Sequence, residues 1–242
     1  VHLVIINGTV YEDKAGNNSQ DGVDSAEAGW EVSLKKVEGS TFTNVGTVTT
    51  GPDGKYSFPN LEPGSYHVLL TPQTGWTQTQ KANNPNTLSS GDGIYTQDLG
   101  VFRNVTITGT KYEDIDGNGT QNDGEPGLPN WVIRTTSGEK PYQATTGPDG
   151  SYTLEDVGPN DSASISLTED PQTGWIQTAQ PESFDIESNH PAGYYGKDFG
   201  NQRSGIITGQ KYEDRNGNGS KDTSEPGLSG WVITATTVTS GD

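Results

Sequence analysis

Two acidic loops with the same spacing are the residues of this chain best suited to chemistry. One runs from Asp114 to Glu125 and the other from Asp214 to Glu225. Both satisfy D-x-[DN]-x-[DN]-G-x5-E, the spacing of a calcium-binding loop. In such a loop, positions 1, 3, 5 and 9 offer oxygen side chains, position 7 offers a carbonyl, and Glu at position 12 offers two oxygens. The sequence therefore predicts two Ca²⁺ sites.

A solvated turn is the simpler interpretation of a single cluster of Asp, Asn and Gly. Two complete matches in register favour a metal instead. Position 6 is Gly119 in one loop and Gly219 in the other, and glycine permits the sharp turn that brings the chain back around an ion. Because the ligands are oxygens only, with no Cys in the chain, a zinc-type site is excluded.

The composition disfavours several kinds of partner. The 242 residues carry 32 acidic and 14 basic side chains, a formal net charge of -18. Such a surface repels phosphate backbones and anionic lipids, so nucleic acid is not expected as a partner. No apolar run approaches the roughly 20 residues of a membrane helix, so no membrane insertion is predicted in this piece. The chain begins at Val1 without a recognisable signal peptide and is interpreted as a processed or excised piece.

The sequence repeats itself with a period of about 100 residues. Residues 107–114 match residues 207–214, and each loop is followed by Glu-Pro-Gly-Leu and then Trp-Val-Ile. The motifs Gly-Pro-Asp-Gly-x-Tyr and Pro-Gln-Thr-Gly-Trp each occur twice. These matches predict a first repeat at residues 1–103, a second at 104–203, and a partial third at 204–242.

Within a repeat the pattern is typical of short strands. Trp131, Ile133 and Thr135 alternate with their neighbours with a period of two, and Gly147-Pro-Asp-Gly150 is turn chemistry. No segment shows a sustained apolar stripe of helical period. We therefore predict an all-β fold of tandem immunoglobulin-like β-sandwiches. The loops then lie between strands, so the helix opening of calcium sensors is not expected.

Taken together, these motifs resemble a known family. Gly-x-x-Tyr-x-Asp-x-Asp-Gly-Asn-Gly, Gly-Glu-Pro-Gly-Leu, Gly-Pro-Asp-Gly-x-Tyr and Pro-x-Thr-Gly-Trp look like the B domains of serine-aspartate-repeat surface proteins (SdrD B-like domains). Those are related to the B-type domains of collagen adhesins (Cna-B). The resemblance covers nearly the whole chain. It implies Cna-B-type sandwiches, stiffened by calcium and strung in tandem as stalks on secreted or cell-surface proteins.

Carried onto matching positions, the resemblance assigns Ca²⁺ ligands to both complete loops. In the second repeat they are Asp114, Asp116, Asn118, Thr120 through its carbonyl, Asn122 and Glu125. In the third repeat they are Asp214, Asn216, Asn218, Ser220, Asp222 and Glu225.

The first repeat departs from the pattern. Position 3 of its loop is Ala15, which cannot ligate through its side chain, and position 6 is Asn18, which tolerates a left-handed turn. Position 12 is an Asp, one methylene shorter than Glu. Ligand number and charge tune calcium affinity, so the sequence leaves open whether this loop forms a weaker site. Its candidate ligands are Asp13, Asn17, Asp21 and Asp24.

Some related domains form a Lys–Asn isopeptide bond beside a buried acid, and Lys111 and Lys211 lie on the first strands of their repeats. Tyr112 is expected to face the core, so the neighbouring Lys111 is expected to face solvent. The first repeat has Val10 at this position. The sequence therefore predicts no crosslink.

Catalysis is not expected, because the sequence has no Gly-x-Ser-x-Gly elbow, no His-Glu-x-x-His and no phosphate loop. The expected role is a calcium-rigidified stalk or filament module at the cell surface, with neighbouring domains or subunits as partners. The alternative is an adhesin module for a protein or glycan ligand, which an exposed aromatic patch would favour. A further alternative is that another subunit completes the strands of the third repeat.

Overall fold

The computed structural model describes residues 3–188, 190 and 193–236; the last residues of the third repeat, 237–242, lie outside this part. Residues Val1–Arg203 form one compact unit and Ser204–Asp242 form another. The described residues of the first unit form seventeen strands. The residues described contain no helix, and hence none long and apolar enough to cross a membrane. The all-β prediction is confirmed.

The first repeat contains ten strands in two sheets. In the larger sheet the order is β2-β1-β10-β7, and β5 and β9 also pair with β1; the smaller sheet has the order β4-β3-β6-β8. The strands are β1 (Val4–Glu12), β2 (Ser25–Ala26), β3 (Glu31–Glu38), β4 (Thr41–Thr49), β5 (Lys55–Leu61), β6 (Gly64–Leu70), β7 (Trp76–Gln78), β8 (Asn86–Leu88), β9 (Ile94–Thr96) and β10 (Leu99–Arg103).

The second repeat contains seven strands in a similar arrangement. One sheet has the order β14-β11-β17-β16 and the other has the order β13-β12-β15. The strands are β11 (Val105–Glu113), β12 (Val132–Ser137), β13 (Lys140–Thr145), β14 (Ser151–Val157), β15 (Thr168–Glu169), β16 (Trp175–Ala179) and β17 (Phe199–Arg203).

The period-two pattern of the sequence produces the two faces of these strands. In β14 the buried side chains are Tyr152, Leu154 and Val157, and the equivalent strand β5 has the same burial pattern. Apolar side chains from both sheets of a repeat meet in one core, as in a β-sandwich. The first core includes Trp30 and the second includes Ile133. The predicted sandwich fold is confirmed.

In each repeat the entry strand and the exit strand are parallel neighbours. Strand β1 pairs with β10 at Val10↔Leu99, and β11 pairs with β17 at Lys111↔Phe199. Both pairings extend for three residues. The chain therefore enters and leaves each repeat along adjacent strands.

The first two repeats are packed against each other. Phe102, at the end of β10, is fully buried in the core of the second repeat. Asn104, the only residue between β10 and β11, accepts a hydrogen bond from Thr77 at 2.8 Å and donates one to Asp156 at 2.7 Å. These contacts explain why residues up to Arg203 form a single compact unit.

The described part of the third repeat reproduces the loop flanks of the second. Tyr212 forms an isolated bridge with Gly227, as Tyr112 does with Gly127. The Leu228 N–H donates to the carbonyl of Lys211 at 2.8 Å, matching the bond at 2.7 Å in the second repeat.

Candidate functional site

The loop of the second repeat begins where β11 ends and is held from inside by Asp114. This side chain is fully buried, and its carboxylate accepts backbone N–H groups from Gly117 at 2.8 Å, Asn118 at 3.0 Å and Gly119 at 2.8 Å. The Asp114 N–H donates to the carbonyl of Asn201 in β17 at 2.9 Å. The first loop residue is thus fixed to both the entry and the exit strand.

Glu125 closes the same loop from its other end. One carboxylate oxygen accepts the N–H of Ile115 at 2.7 Å and the other accepts the N–H of Asn122 at 2.8 Å. At position 6, Gly119 has a φ of 79°, so glycine serves the left-handed turn that the pattern requires. The carboxylates at positions 1 and 12 therefore shape the loop through backbone N–H groups.

Three acidic side chains converge in this loop. Ligand oxygens of Asp114, Asp116 and Glu125 all lie within 4.8 Å of one another. Nearby, Asn118 Oδ1 accepts the N–H of Thr120 at 2.8 Å, and the Asn122 amide donates to Asp116 at 3.4 Å. All six predicted ligand positions thus belong to one compact loop. Its hard oxygen donors fit Ca²⁺.

The Asp114 carboxyl is held in its ionised form. Burial acts to raise its pKa, but the nearby Thr178 hydroxyl and the hydrogen bonds from the backbone N–H groups of the loop outweigh burial and lower the pKa. An ionised carboxylate inside an acidic loop attracts a cation strongly.

The loop of the third repeat has the same internal bonds. Its first carboxylate accepts three backbone N–H groups and its last carboxylate accepts two. The donors to Asp214 are Gly217 at 2.7 Å, Asn218 at 3.1 Å and Gly219 at 2.8 Å; those to Glu225 are Arg215 at 2.8 Å and Asp222 at 3.1 Å.

Position 3 distinguishes the third loop from the second. It is Asn216, whose amide donates to Asp222 at 2.7 Å, in place of the Asp116 carboxylate. Position 7 repeats the second loop, since the Ser220 N–H donates to Asn218 Oδ1 at 2.7 Å. The third loop thus has the shape of the second and the same number of carboxylates at its ligand positions, since position 9 is Asp222 in place of Asn122.

The diverged loop of the first repeat keeps the same shape. Asp13 accepts the N–H groups of Asn17 at 3.0 Å and Asn18 at 2.8 Å, and Asn18 has a φ of 63°. Asp24 accepts the N–H groups of Lys14 and Asp21, both at 2.9 Å. The shorter Asp at position 12 therefore makes the bonds that Glu125 makes in the second repeat.

The first loop also contacts the second repeat, which the sequence did not predict. The Ser188 N–H donates to the carbonyl of Lys14 at 2.8 Å, and the Asn18 amide donates to Asp161 at 2.9 Å. Gly16 is buried, and a Cβ there would lie 2.6 Å from Pro159. This loop is part of the joint between two repeats, a role that no local motif encodes.

A second polar cluster lies inside the second repeat, and it corrects the prediction for Lys111. The lysine does not face solvent: it is fully buried, next to a side chain of Glu169 that is only 5% exposed. Lys111 Nζ lies 3.0 Å from Glu169 Oε2 and donates to Asn201 Oδ1 at 2.5 Å. Asn201 Nδ2 donates to Glu169 Oε1 at 2.7 Å. We call Lys111, Glu169 and Asn201 the triad.

The prediction was wrong because β11 changes partner along its length. Up to Thr110 the strand pairs with β14, and from Lys111 onwards it pairs with β17. At this change the period-two alternation breaks, and Lys111 and Tyr112 are both buried. The simple rule that neighbouring residues face opposite sides therefore fails at the end of the strand.

The surroundings of the triad alter the chemistry of the lysine. Burial lowers the pKa of Lys111 to about 8, although the hydrogen bond and the charge of Glu169 act in the opposite direction. The ring of the buried Trp131 lies 4.6 Å from Nζ. Near neutral pH more of this lysine is therefore a neutral amine than of an exposed lysine. A neutral amine is a nucleophile.

The first repeat replaces the whole triad with apolar residues. Val10 takes the place of Lys111, Leu70 that of Glu169 and Val101 that of Asn201. The strand registers agree, since Val32 faces Leu70 as Ile133 faces Glu169. All three substitutes lie in the first core. Comparing the two repeats at these positions is the signal in the sequence that could have identified the triad.

Comparisons with known proteins agree with this description. Residues 5–108 match the family model described as SdrD B-like domain, which confirms the resemblance inferred from the motifs. Serine-aspartate repeat-containing protein D of Staphylococcus aureus (strain Newman) is 26% identical over 260 residues, and protein F of Staphylococcus epidermidis is 27% identical over 251 residues. Each match covers 93% of this chain but only 19% and 14% of those proteins, respectively. The relatives support a location at the cell surface.

Two solved structures are also similar. The minor pilin GBS52 of Streptococcus agalactiae matches with 12% identity and a TM-score of 0.39, over 85% of this chain and 98% of that chain. The shaft pilin SpaA of Lactobacillus rhamnosus GG matches with 10% identity and a TM-score of 0.34, over 85% of this chain and 100% of that chain.

The triad gives a prediction for stability. Glu169→Leu leaves a buried lysine without its counter-charge, so its free energy of unfolding should be about 3–5 kcal/mol lower than that of the triple variant Lys111→Val, Glu169→Leu, Asn201→Val. The triple variant installs the apolar residues of the first repeat and leaves no charge buried. Urea denaturation followed by tryptophan fluorescence would measure both. Equal stability of the single and triple variants would contradict this account of the triad.

Proposed function

We propose that this chain is a structural module: a calcium-rigidified stalk or filament segment of a cell-surface protein. The observation that carries the proposal is the position of the loops. In the first two repeats the loop follows the entry strand and is bonded to the exit strand, through Asp13 to Val101 at 2.8 Å and through Asp114 to Asn201 at 2.9 Å. A cation bound there would stiffen the end of the repeat at which the chain leaves it.

The physical effect of calcium follows from linkage and charge. Three carboxylates within 4.8 Å repel one another, in a chain with a net charge of -18. A cation held by Asp114, Asp116 and Glu125 would replace this repulsion with attraction. An ion that binds only the folded loop stabilises the fold, by about 2.7 kcal/mol at 100 times its Kd.

The adhesin alternative has less support from the surface. In the part of Val1–Arg203 that the structure describes, the exposed large aromatic side chains are Phe42 and Tyr195, which lie in different repeats. Two separate aromatic residues do not form the patch that binding to a protein or glycan would favour. The remaining exposed large apolar residues of this unit are aliphatic and lie on several different strands and loops.

We further propose that Lys111 and Asn201 join in an isopeptide bond within the second repeat. The neutral Lys111 Nζ attacks Asn201 Cγ, the new Nζ–Cγ bond forms, and the Cγ–Nδ2 bond breaks. Glu169 lies within hydrogen-bonding distance of both nitrogens, so it can take a proton from Nζ and pass it to Nδ2. Nδ2 of Asn201 leaves as ammonia. One amine and one amide thus give one new amide and one ammonia.

This bond would connect the entry strand directly to the exit strand. Lys111 lies on β11 and Asn201 on β17, the parallel neighbours of the second repeat. Tension on the chain would then pass from one strand to the other through covalent bonds. Residues 112–200 would not be stretched, which suits a stalk.

The calcium assignment predicts that Asp116→Ala removes one binding site. The variant copies Ala15, the residue at this position in the first loop, and it takes a carboxylate from the acidic group. Calcium titration calorimetry should show one site fewer, or one site at least tenfold weaker, because ligand number and charge set the affinity. EDTA should also lower the Tm of the wild type.

Asp123→Ala is the matched control, since Asp123 lies exposed in the same loop at a position that ligates nothing in the pattern. It should bind calcium like the wild type. A melting temperature that does not change with EDTA, together with no heat of calcium binding, would refute the calcium assignment.

The crosslink predicts a change of mass. Intact-mass spectrometry of the denatured chain should find it lighter by one ammonia than its sequence requires. Asn201→Ala lacks the amide and should have the mass of its sequence, and Glu169→Gln should do the same because it cannot shuttle the proton. Peptide mapping should place the bond between Lys111 and Asn201. A wild-type chain at full sequence mass would exclude the bond.

A further inference from the structure

We propose that the first repeat has the opposite mechanical role to the second: it is the element that unfolds and extends when the chain is pulled. This inference rests on the crosslink proposed above. Its basis is a difference between two repeats that pair their entry and exit strands in the same way. The second repeat has the triad, and the first has three apolar residues in its place. One chain would thus combine an extensible repeat with an inextensible one.

The two repeats receive tension in the same geometry. In each, the entry and exit strands are parallel and pair over three residues, Val10–Glu12 with Leu99–Val101 and Lys111–Glu113 with Phe199–Asn201. Parallel strands pulled from opposite ends slide past each other, so both ladders are loaded in shear. Any difference in extension therefore comes from the side chains that join the two strands.

The three residues that replace the triad in the first repeat cannot form a covalent bond with one another. Val10 and Val101 pack by apolar contact only, and neither can form an amide with its neighbour. A cavity of about 140 Å³, lined among others by Trp30, Leu70 and Val101, lies at this position. The first repeat thus has apolar contacts, next to a cavity, where the second repeat has its buried polar cluster.

The connection between the two repeats is short and packed, so it transmits tension directly. Only Asn104 separates β10 from β11, and Phe102 is buried in the core of the second repeat. Ser188 of the second repeat donates to Glu12 of the first at 2.7 Å and accepts the N–H of Arg103 at 2.7 Å. Tension therefore reaches both repeats together, and the one without a covalent bond between its terminal strands extends.

Single-molecule force spectroscopy on the full chain, tethered at its two ends, tests this inference. The wild type should show one release of about 100 residues, or ~340 Å at roughly 3.4 Å per residue. Glu169→Gln should add a second release of similar length, because the second repeat then lacks its crosslink. Intact mass measured on the same samples reports whether each chain is crosslinked.

A disulfide assigns the wild-type release to the first repeat. The chain has no cysteine, so Val10→Cys, Leu99→Cys places a single pair on facing residues of β1 and β10. The oxidised variant should lose the long release, and adding a reductant should restore it in the same molecules. This comparison does not depend on the variant having wild-type stability, because both measurements use one protein.

The outcomes separate the two proposals. A crosslinked chain whose long release persists in the oxidised disulfide variant overturns the inference while the crosslink stands. A chain of full sequence mass that shows two long releases overturns both. The third outcome is a crosslinked wild type that shows no long release, at forces that do extend the second repeat of Glu169→Gln. This result would show that the first repeat resists extension without a covalent bond, and it also overturns the inference.

Discussion

The parallel pairing of the entry strand with the exit strand is the constraint on which the rest of each repeat depends. It places the loop that follows β11 against the backbone of β17, and it places Lys111 beside Asn201. In an antiparallel arrangement the chain would leave at the opposite end from the loop. Because the strands are parallel, the loop, the triad and the exit of the chain all lie at the same end of the repeat.

The triad shows why buried polar groups change together. A buried lysine without a counter-charge is costly, and so is a buried carboxylate without a donor, whereas three apolar residues of suitable size form a satisfactory core. Intermediate combinations are less stable than either complete set. The first repeat has Val10, Leu70 and Val101 at the three positions, which is the complete apolar alternative. Stability therefore does not explain why the second repeat has the triad, whereas the proposed isopeptide bond does.

The sequence predicted what local rules determine. The glycine at position 6 and the period-two burial of Trp131, Ile133 and Thr135 follow from backbone and side-chain geometry within a few residues, and the structure has both. The orientation of Lys111 was predicted wrongly, because it depends on where β11 exchanges β14 for β17, a contact between residues about 90 positions apart. The packing of Gly16 against Pro159 was not predicted for the same reason: it joins two repeats.

Asn201 belongs to both the acidic loop contacts and the triad of the second repeat. Its backbone carbonyl accepts the N–H of Asp114, the first residue of the loop, while its side chain belongs to the triad. In the first repeat the carbonyl of Val101 makes the same bond to Asp13 at 2.8 Å, although the side chain is apolar. The backbone bond is independent of the side chain, so a repeat can lose its triad and still keep the shape of its loop. Stiffness from calcium and strength from a covalent bond, as proposed above, would therefore be separable properties of one fold.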